Sequence, residues 1–182
     1  MNNNNGISIG NLLSPEGIKL PLVLPLSTGG FIIEYSNTKN QEALQFIQKL
    51  TFSYITALSE QLVIIHIFDF SLKNPFKELA QLKDTGIYHS YSEKKALKAY
   101  EELEELVRYR HYELLTGYED MHSYNQNSPQ KEKFHIVLWN IEHIVSQFGT
   151  VKDIKSFIDA SREAGVYIIA YASVDTLLSL SS

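Results

Sequence analysis

The sequence predicts an α/β protein with three layers, in which helices cover both faces of a mostly parallel β-sheet. The first observation behind this prediction is the alternation of short, solidly apolar runs, such as 62–68 and 134–140, with longer amphipathic stretches. Strands of parallel sheets have such continuous apolar runs because helices bury both of their faces. The second observation is the length of 182 residues, which is enough for one domain with a full hydrophobic core.

Composition and charge exclude several kinds of protein. The formal net charge of −5 provides no positive field that would attract nucleic acid or acidic lipid. The absence of cysteine excludes disulfides and thiolate metal sites, and it agrees with a reducing environment. No apolar run approaches the roughly 20 residues of a membrane-spanning helix. We therefore expect a cytoplasmic protein that neither inserts into membranes nor binds nucleic acid directly.

The N-terminal part of the chain divides into a lead-in and the start of the domain. Residues 1–19 are interpreted as an N-terminal tail and lead-in, whose opening Asn-rich run is too polar for a signal peptide and is expected to be disordered. Residues 20–182 are predicted to form a single domain. Its first stretch, 20–26, is expected to be extended at a sheet edge, because Pro21 and Pro25 cannot donate backbone hydrogen bonds.

The core elements then follow in a strand–helix order. A strand at 31–35 and a helix over 43–58, which Asn37 or Asn40 is expected to cap, begin the pattern. The apolar run at 62–68 is the next strand. A short helix at 76–82 and a short strand at 87–91 are expected next. A long charged helix at 92–115 and a shorter helix at 118–127 follow. The central strand is expected at 134–140, an amphipathic helix at 151–164 and the last strand at 166–171. The central strand is expected to run into a polar loop.

Several polar residues stand at the ends of these elements in a fixed order. Asp69 follows the second core strand, and Asn140 ends the central one. The long helix carries an arginine pair, Arg108 and Arg110, and a Tyr-Asn pair, Tyr124 and Asn125, follows it. The segment 162–169, which leads into the last strand, completes the pattern. Over residues 20–175 this order resembles the motor domain of the FtsK/SpoIIIE/HerA family of RecA-like P-loop ATPases. The resemblance implies a RecA-like sheet with a site for ATP and Mg²⁺.

The phosphate-binding loop that the resemblance implies has lost its motif. Such a loop needs Gly-x-x-x-x-Gly-Lys-Ser/Thr, because the glycines let backbone amides close on the phosphates and the lysine neutralises them. The matching stretch, 35–42, contains no glycine, and Gln41 or the glutamate after it stands at the lysine position. A carboxylate there would repel a triphosphate. The polar residues left in this stretch are Ser36, Thr38 and Lys39.

The acidic residues of the implied nucleotide site are also replaced. Asn140 stands where the resemblance implies an aspartate linked to Mg²⁺, and Ile141 stands where it implies the catalytic glutamate. Glu142 is one step off that position and is expected to face solvent at a helix start, where negative charge is favoured. Ser173 occupies the position of a sensor residue that is often Gln in the family. We therefore assign no catalytic residue.

Asp69 is the family-like polar residue that remains. At the end of a parallel strand it would line a ligand crevice, or it would cap the turn that follows, and the cap is the favoured interpretation. The vestigial nucleotide site is thus predicted to comprise Ser36, Thr38, Lys39, Gln41, Asp69, Asn140 and Glu142.

The six histidines show no metal-ligand spacing, and no metal site is predicted. Neither His-Glu-x-x-His nor Gly-x-Ser-x-Gly occurs. His66, in the middle of a strand, is interpreted as a hydrogen-bonded core residue, and His111 and His122 as surface residues.

Three arginines are candidates for contact with another protein: Arg108, Arg110 and Arg162. For the first two the alternative is an ion pair with the glutamates one turn earlier in the same helix, Glu104 or Glu105.

A retained order of elements with an altered nucleotide site leads to two functional hypotheses. In the first, the chain is a non-catalytic, FtsK-like pseudo-ATPase domain that needs no cofactor. It would act as a protein-interaction or structural module in a larger translocase or secretion-type motor. Its partners would be proteins, including an active ATPase of the same family, and oligomer formation is left open. In the alternative, the chain is an active or weakly active ATPase or DNA translocase subunit that uses ATP and Mg²⁺ at an atypical site of Lys39, Asp69 and Glu142.

Overall fold

The computed structural model describes residues 6–59, 62–148 and 151–181. The strands and helices are, in chain order, β1 (Gly6–Leu13), β2 (Lys19–Pro25), β3 (Phe31–Tyr35), α1 (Asn40–Leu58), β4 (Val63–Phe68), β5 (Tyr88–Ser90), α2 (Glu93–Tyr109), α3 (Met121–Asn127), β6 (Phe134–Asn140), α4 (Ile141–Phe148), α5 (Val151–Glu163), β7 (Val166–Ser173) and α6 (Val174–Ser181). Short 3₁₀ helices lie at Leu26–Thr28, Asn37–Lys39 and Leu79–Thr85, and α2 continues into a π-helical segment at Arg110–Leu114. The expected disorder at the start of the chain falls on residues 1–5, outside the described residues.

Five of the strands form one parallel sheet in the order β3-β7-β6-β4-β5. Each pair of neighbouring strands in it is parallel, which confirms the predicted sheet. β6 lies at its centre, between β4 and β7. Because these strands all point the same way, their carboxyl ends meet at one edge of the sheet, which we call the carboxyl edge. Residues that end or follow β3, β4, β6 and β7 are therefore neighbours in space although they are far apart along the chain.

The helices cover both faces of this sheet. Successive side chains of a strand point to opposite faces. Ile136 and Leu138 of β6 accordingly pack with α1, whereas Val137 and Trp139 pack with α2, α4 and α5. The strands are solid apolar runs because both of their faces are covered. The predicted three-layer α/β/α architecture is confirmed.

A β-hairpin precedes the sheet. β1 pairs antiparallel with β2, and Ile7 of β1 is 1% exposed because it packs into the core beside α1. The predicted domain boundary between residues 19 and 20 falls within this hairpin, because β2 begins at Lys19. Ile7 and Ile9 of β1 pack against the core, so one side of β1 is buried. β2 has one strand neighbour, as expected for a segment that contains two prolines.

The structure corrects several predicted element ends. Neither Asn37 nor Asn40 caps α1, because Lys39 holds the cap position and makes no side-chain bond to the helix end. No polar loop follows β6, because α4 begins at Ile141 directly after the strand. Ile141 and Ile144 pack into the core, so this helix is held against the sheet from its first turn.

Two more predicted helices have different bounds. The long helix expected at 92–115 is divided into α2 and the π-helical segment, and the short helix expected at 76–82 is the 3₁₀ helix at Leu79–Thr85. Gly165 follows α5 with φ of 69°, a conformation that favours glycine at the end of a helix.

Among the helices described, none is both long and apolar enough to cross a membrane.

Candidate functional site at the carboxyl edge of the sheet

Asp69 is the centre of a hydrogen-bond network at the carboxyl edge. Its side chain is buried, and Oδ1 accepts a 2.9 Å hydrogen bond from the backbone N–H of Ser71. Oδ2 accepts two more, from the hydroxyl of Tyr171 at 2.5 Å and from Nδ2 of Asn140 at 3.1 Å. Asp69 therefore caps the turn after β4, which is the favoured interpretation from the sequence, and it also joins the ends of β4, β6 and β7.

This network lies where a ligand crevice is expected in a parallel sheet. β4 and β6 are neighbours, but the segment after β4 packs on the α1 face through Phe76 and Leu79, whereas α4, after β6, packs on the opposite face. Adjacent strands whose connections diverge to opposite faces leave a crevice beyond their carboxyl ends. Asp69 and Asn140 stand at this position.

The hydrogen bonds keep Asp69 ionised. Burial, the largest single influence, raises the pKa of its carboxyl, but the bonds from Ser71, Tyr171 and Asn140 together outweigh it and leave the pKa below its ordinary value. Burial, followed by the charge of Asp69, raises the pKa of the Tyr171 phenol well above its ordinary value. The carboxylate is thus stabilised by protein donors.

His143 completes the surroundings of Asp69. Its Nδ1 accepts a hydrogen bond of 3.0 Å from the backbone N–H of Phe70, and its ring stacks on the ring of Phe70. The same Nδ1 is 3.7 Å from Oδ1 of Asp69. The hydrogen bond from Phe70 therefore holds the imidazole ring beside the carboxylate of Asp69. A polar loop was expected after β6, so the sequence did not indicate that His143 would lie on a helix beside Asp69.

The stretch that matches the phosphate-binding loop is a closed turn. The N–H of Lys39 donates to the carbonyl of Ser36 at 2.8 Å, and the hydroxyls of Ser36 and Thr38 are hydrogen-bonded at 3.1 Å. Nζ of Lys39 forms an exposed ion pair of 2.8 Å with Glu42. Gln41 is exposed in the first turn of α1. Within the part of the chain that the structure describes, no hydrogen bond or ion pair joins this turn to Asp69.

The remaining candidates lie beside the network. Glu142 is exposed in the first turn of α4, as expected. The pKa of the Tyr35 hydroxyl is raised, first by burial and then by the negative charges of Asp69 and Glu142. The side chains of Tyr35, Asp69 and Glu142 therefore face the same region of the carboxyl edge. Ser173, at the sensor position, accepts a hydrogen bond of 3.1 Å from the N–H of Thr176 and caps α6.

Arg110 is an interior residue, which corrects its prediction as an interface residue. Its side chain is 1% exposed. It donates to the carbonyl of Ala164 at 2.7 Å and to the carbonyl of Lys133 at 2.6 Å, and it pairs with Glu132 at 3.4 Å. The predicted ion pair within α2 is therefore wrong for this residue. The physical reason is that these acceptors, at the end of α5 and before β6, bind both terminal nitrogens of the buried guanidinium, although its Nε has no hydrogen-bond partner. Exposed arginines remain at Arg108 and Arg162.

Two interpretations of histidines have opposite outcomes. His66 is a hydrogen-bonded core residue, as predicted, with Nδ1 2.7 Å from the hydroxyl of Tyr91 and Nε2 2.9 Å from Nδ1 of His135. The prediction of His122 as a surface residue is wrong, because it is half-buried and bonds the buried hydroxyl of Tyr167 at 2.7 Å. Among the described residues, no group of three or more His, Cys, Asp or Glu side chains is arranged to hold a metal ion.

Comparisons with known proteins define the fold. No protein-family model matches the chain, and no curated protein matches its sequence. EssC (ATPases 2 and 3) from Geobacillus thermodenitrificans is 21% identical and superposes with a TM-score of 0.70, covering 94% of this chain and 34% of that chain. The pCW3 conjugation coupling protein TcpA, as a monomer with ATPγS, is 12% identical with a TM-score of 0.68 over 94% of this chain and 49% of that chain. Thermomonospora curvata EccC (ATPases 2 and 3), in complex with a signal sequence peptide, is 13% identical with a TM-score of 0.63 over 98% of this chain and 33% of that chain.

The chain therefore shares the fold of these ATPase domains, a RecA-like α/β fold with a mostly parallel sheet, as the order of elements predicts. The chain spans about a third to a half of the length of these solved structures. At this level of identity the likeness concerns the fold, and the function is argued from the residues of the carboxyl edge.

Proposed function

We propose that this chain is a non-catalytic, FtsK-like pseudo-ATPase domain that serves as a protein-interaction or structural module in a larger translocase or secretion-type motor assembly. The observation that carries the proposal is that the polar groups of the carboxyl edge are bonded to one another. Asp69 is held by Tyr171 and Asn140, and Lys39 is held by Glu42.

An ATP–Mg²⁺ complex does not fit these residues. Mg²⁺ binds carboxylates that have free lone pairs, and a triphosphate needs converging backbone N–H groups and a lysine. Here protein hydrogen bonds occupy three of the roughly four lone-pair positions of the Asp69 carboxylate. The turn after β3 is closed by its own backbone bond between Lys39 and Ser36. We therefore propose that the module works without a nucleotide cofactor.

The alternative is an active or weakly active ATPase or DNA translocase subunit with an atypical site. One observation favours it: Glu142 and Asp69 act on the same Tyr35 hydroxyl and so face one region of the carboxyl edge. A single acidic region without a phosphate clamp is weak support for nucleotide hydrolysis. The net charge of −5 also disfavours a strand of DNA as the bound track.

Isothermal titration calorimetry with ATP and Mg²⁺ tests the proposal. We expect no binding heat up to about 1 mM nucleotide and no phosphate release above that of buffer. Micromolar binding with turnover, abolished in both Asp69→Asn and Glu142→Gln, would overturn the proposal in favour of the alternative. Thermal denaturation of each variant shows whether it is folded under the conditions of the assay.

Protein partners and a cytoplasmic location are part of the proposal. They are supported by the solved structures of this fold, which include the cytoplasmic domain of EssC and the cytoplasmic domain of a type VII secretion ATPase. The partner we propose is an active ATPase of the same fold. Charge reversal at the exposed Arg108 and Arg162 is expected to weaken co-purification with such an ATPase if these side chains lie in the contact, while reversal at the exposed Lys83 serves as the matched control.

A further inference from the structure

The outer side of α2 carries a stripe of charges in two separate blocks. The residues by which α2 packs on the sheet are Ala96, Ala99, Leu103 and Val107. On the opposite side, residues that recur at alternating spacings of four and three positions form one continuous line along a helix. Here that line begins with two exposed lysines and continues with two exposed glutamates: Lys94, Lys98, Glu101 and Glu105. We call these four residues the charge stripe.

The order of charges in the stripe does not favour the helix itself. Lys94 lies in the first turn, where the helix dipole disfavours positive charge. Lys94 and Lys98 are one turn apart, as are Glu101 and Glu105, and like charges at this spacing repel. Lys98 forms an ion pair of 3.6 Å with Glu102, but the two side chains are 83% and 66% exposed, so Lys98 remains open to a second contact. Opposite charge from outside the helix would relieve this repulsion.

We propose that a second copy of the chain supplies this charge, with the two α2 helices packed antiparallel about a two-fold axis midway between positions 99 and 100. Residues equally far from the axis then meet. Lys94 of each copy lies opposite Glu105 of the other, and Lys98 lies opposite Glu101. Each contact occurs twice, so the interface is isologous and joins four pairs of opposite charges.

The charges select one orientation and one register for the two helices. A parallel arrangement sets lysine against lysine and glutamate against glutamate. An antiparallel arrangement that is shifted by one heptad sets Glu101 opposite Glu105 and Lys98 opposite Arg108, which also repel each other. Only the register centred between positions 99 and 100 brings each basic block against an acidic block. Such matching of charges fixes partner and register in helix pairs, and here the matching partner is α2 itself.

Leu97 adds an apolar contact to this interface. It is 52% exposed and lies beside the charge stripe. With a rise of 1.5 Å per residue, the two-fold axis sets the two copies of Leu97 about 7.5 Å apart along the helices and on the same side. A contact between two helices of 17 residues is small, and exposed ion pairs are individually weak. We therefore expect a transient dimer that low salt favours. Because the surface lies on α2, it does not depend on the proposed function of the carboxyl edge.

Sedimentation velocity on the full chain between about 5 and 500 µM tests the dimer. In about 25 mM NaCl we expect a concentration-dependent dimer, and in about 300 mM NaCl a dissociation constant at least about tenfold higher. A monomer at every concentration in the low-salt buffer overturns the proposal. A dimer whose dissociation constant is the same in both buffers also overturns it, because such a contact would not rest on these charges.

Exchange of charges locates the contact on α2. Lys94→Glu combined with Lys98→Glu makes the stripe entirely acidic, and Glu101→Lys combined with Glu105→Lys makes it entirely basic. Each double variant alone is expected to remain a monomer. An equimolar mixture of the two is expected to form a heterodimer, because an acidic stripe then meets a basic one. Double variants that dimerise as the unmodified chain does, or a mixture that stays monomeric, would overturn the proposal.

Two further variants separate the order of the charges from the net charge. Lys77→Glu combined with Lys83→Glu changes two exposed lysines outside α2 and gives the same net charge as the acidic stripe variant. This control is expected to dimerise as the unmodified chain does. The fourfold variant that exchanges the two blocks of the stripe keeps the net charge and is also expected to dimerise. A loss of the dimer in the control would assign the effect to net charge and would contradict the α2 contact.

Discussion

Nδ2 of Asn140 donates a hydrogen bond of 3.1 Å to Oδ2 of Asp69, although the two residues are 71 positions apart in the chain. The bond crosses from the end of β6 to the end of β4. The amide of Asn140 thus donates to the buried carboxylate of Asp69. The family resemblance implies an aspartate, a second acid beside Asp69, at position 140. The negative charge of Asp69 is thus stabilised by donors of the protein, which is the basis of the first two predictions.

Asn140→Asp is expected to destabilise the fold by about 2–4 kcal/mol at pH 7. It would set a second carboxylate about 3 Å from Asp69, where both cannot remain ionised. One of the two acids will then have a raised pKa, so the loss should shrink as the pH is lowered to 5. Urea denaturation at both pH values measures it, with exposed Asn40→Asp as the control. Equal stabilities of Asn140→Asp and the unmodified chain would contradict this account.

Tyr171→Phe is expected to raise the pKa of Asp69, since the hydroxyl of Tyr171 is one of the donors that lower it. A group with a depressed folded pKa contributes stability above its unfolded pKa and loses it as the pH falls through the folded pKa. The variant should therefore lose about 1–2 kcal/mol near pH 7, and the difference should shrink as the pH falls below the ordinary carboxyl pKa of about 3.9. Denaturation across this range tests it, with Tyr112→Phe, an exposed tyrosine, as the control. A pH-independent difference would show that packing, rather than the bond to Asp69, is lost.

The buried histidines are expected to make the protein less stable in mild acid. Burial, followed by nearby positive charge, lowers the pKa of His66 to about 3 and that of His135 to about 2. The unfolded chain binds protons at these residues below about pH 6.5 while the folded chain does not, so the free energy of unfolding falls as the pH falls. The slope is up to roughly 1.4 kcal/mol per pH unit for each histidine. Thermal denaturation between pH 7.5 and 5 measures this slope.

His135→Phe removes one of these two groups and should reduce the slope. The comparison concerns the slope rather than the absolute stability, so a variant that is somewhat destabilised still provides an answer. A slope unchanged in His135→Phe would assign the acid sensitivity to other groups.

Arg110→Ala is expected to destabilise the fold by about 3–5 kcal/mol, because it leaves buried acceptors without a donor. Arg110→Lys should not restore full stability, since an ammonium cannot reach the carbonyls of Ala164 and Lys133 with the geometry of a guanidinium. Arg108→Ala, at an exposed position two residues earlier, should stay within about 0.5 kcal/mol. Guanidinium denaturation of the three variants tests the prediction, and similar values for Arg110→Ala and Arg108→Ala would refute it.

The sequence predicted the strands of the sheet and placed Asp69 and Asn140 at its carboxyl edge, because both follow solid apolar runs whose pattern is local. It did not predict Tyr171 as a donor to Asp69, because that contact depends on the register between neighbouring strands. Arg110 was expected at the surface, since a charged helix usually faces solvent. Its burial arises from carbonyl and carboxylate acceptors supplied by other segments of the chain.

By itself, the sequence determined the α/β class and the loss of the glycines and acids that a nucleotide site requires, because apolar periodicity and motif composition are properties of neighbouring residues. The tertiary structure alone decided which polar groups are bonded to one another. The sheet order sets β6 beside β4 and β7, and hydrogen bonds of about 3 Å between residues such as Asn140 and Asp69 exist only once those strands are in register. No local pattern encodes such a contact, since its free energy depends on burial that the folded layers create.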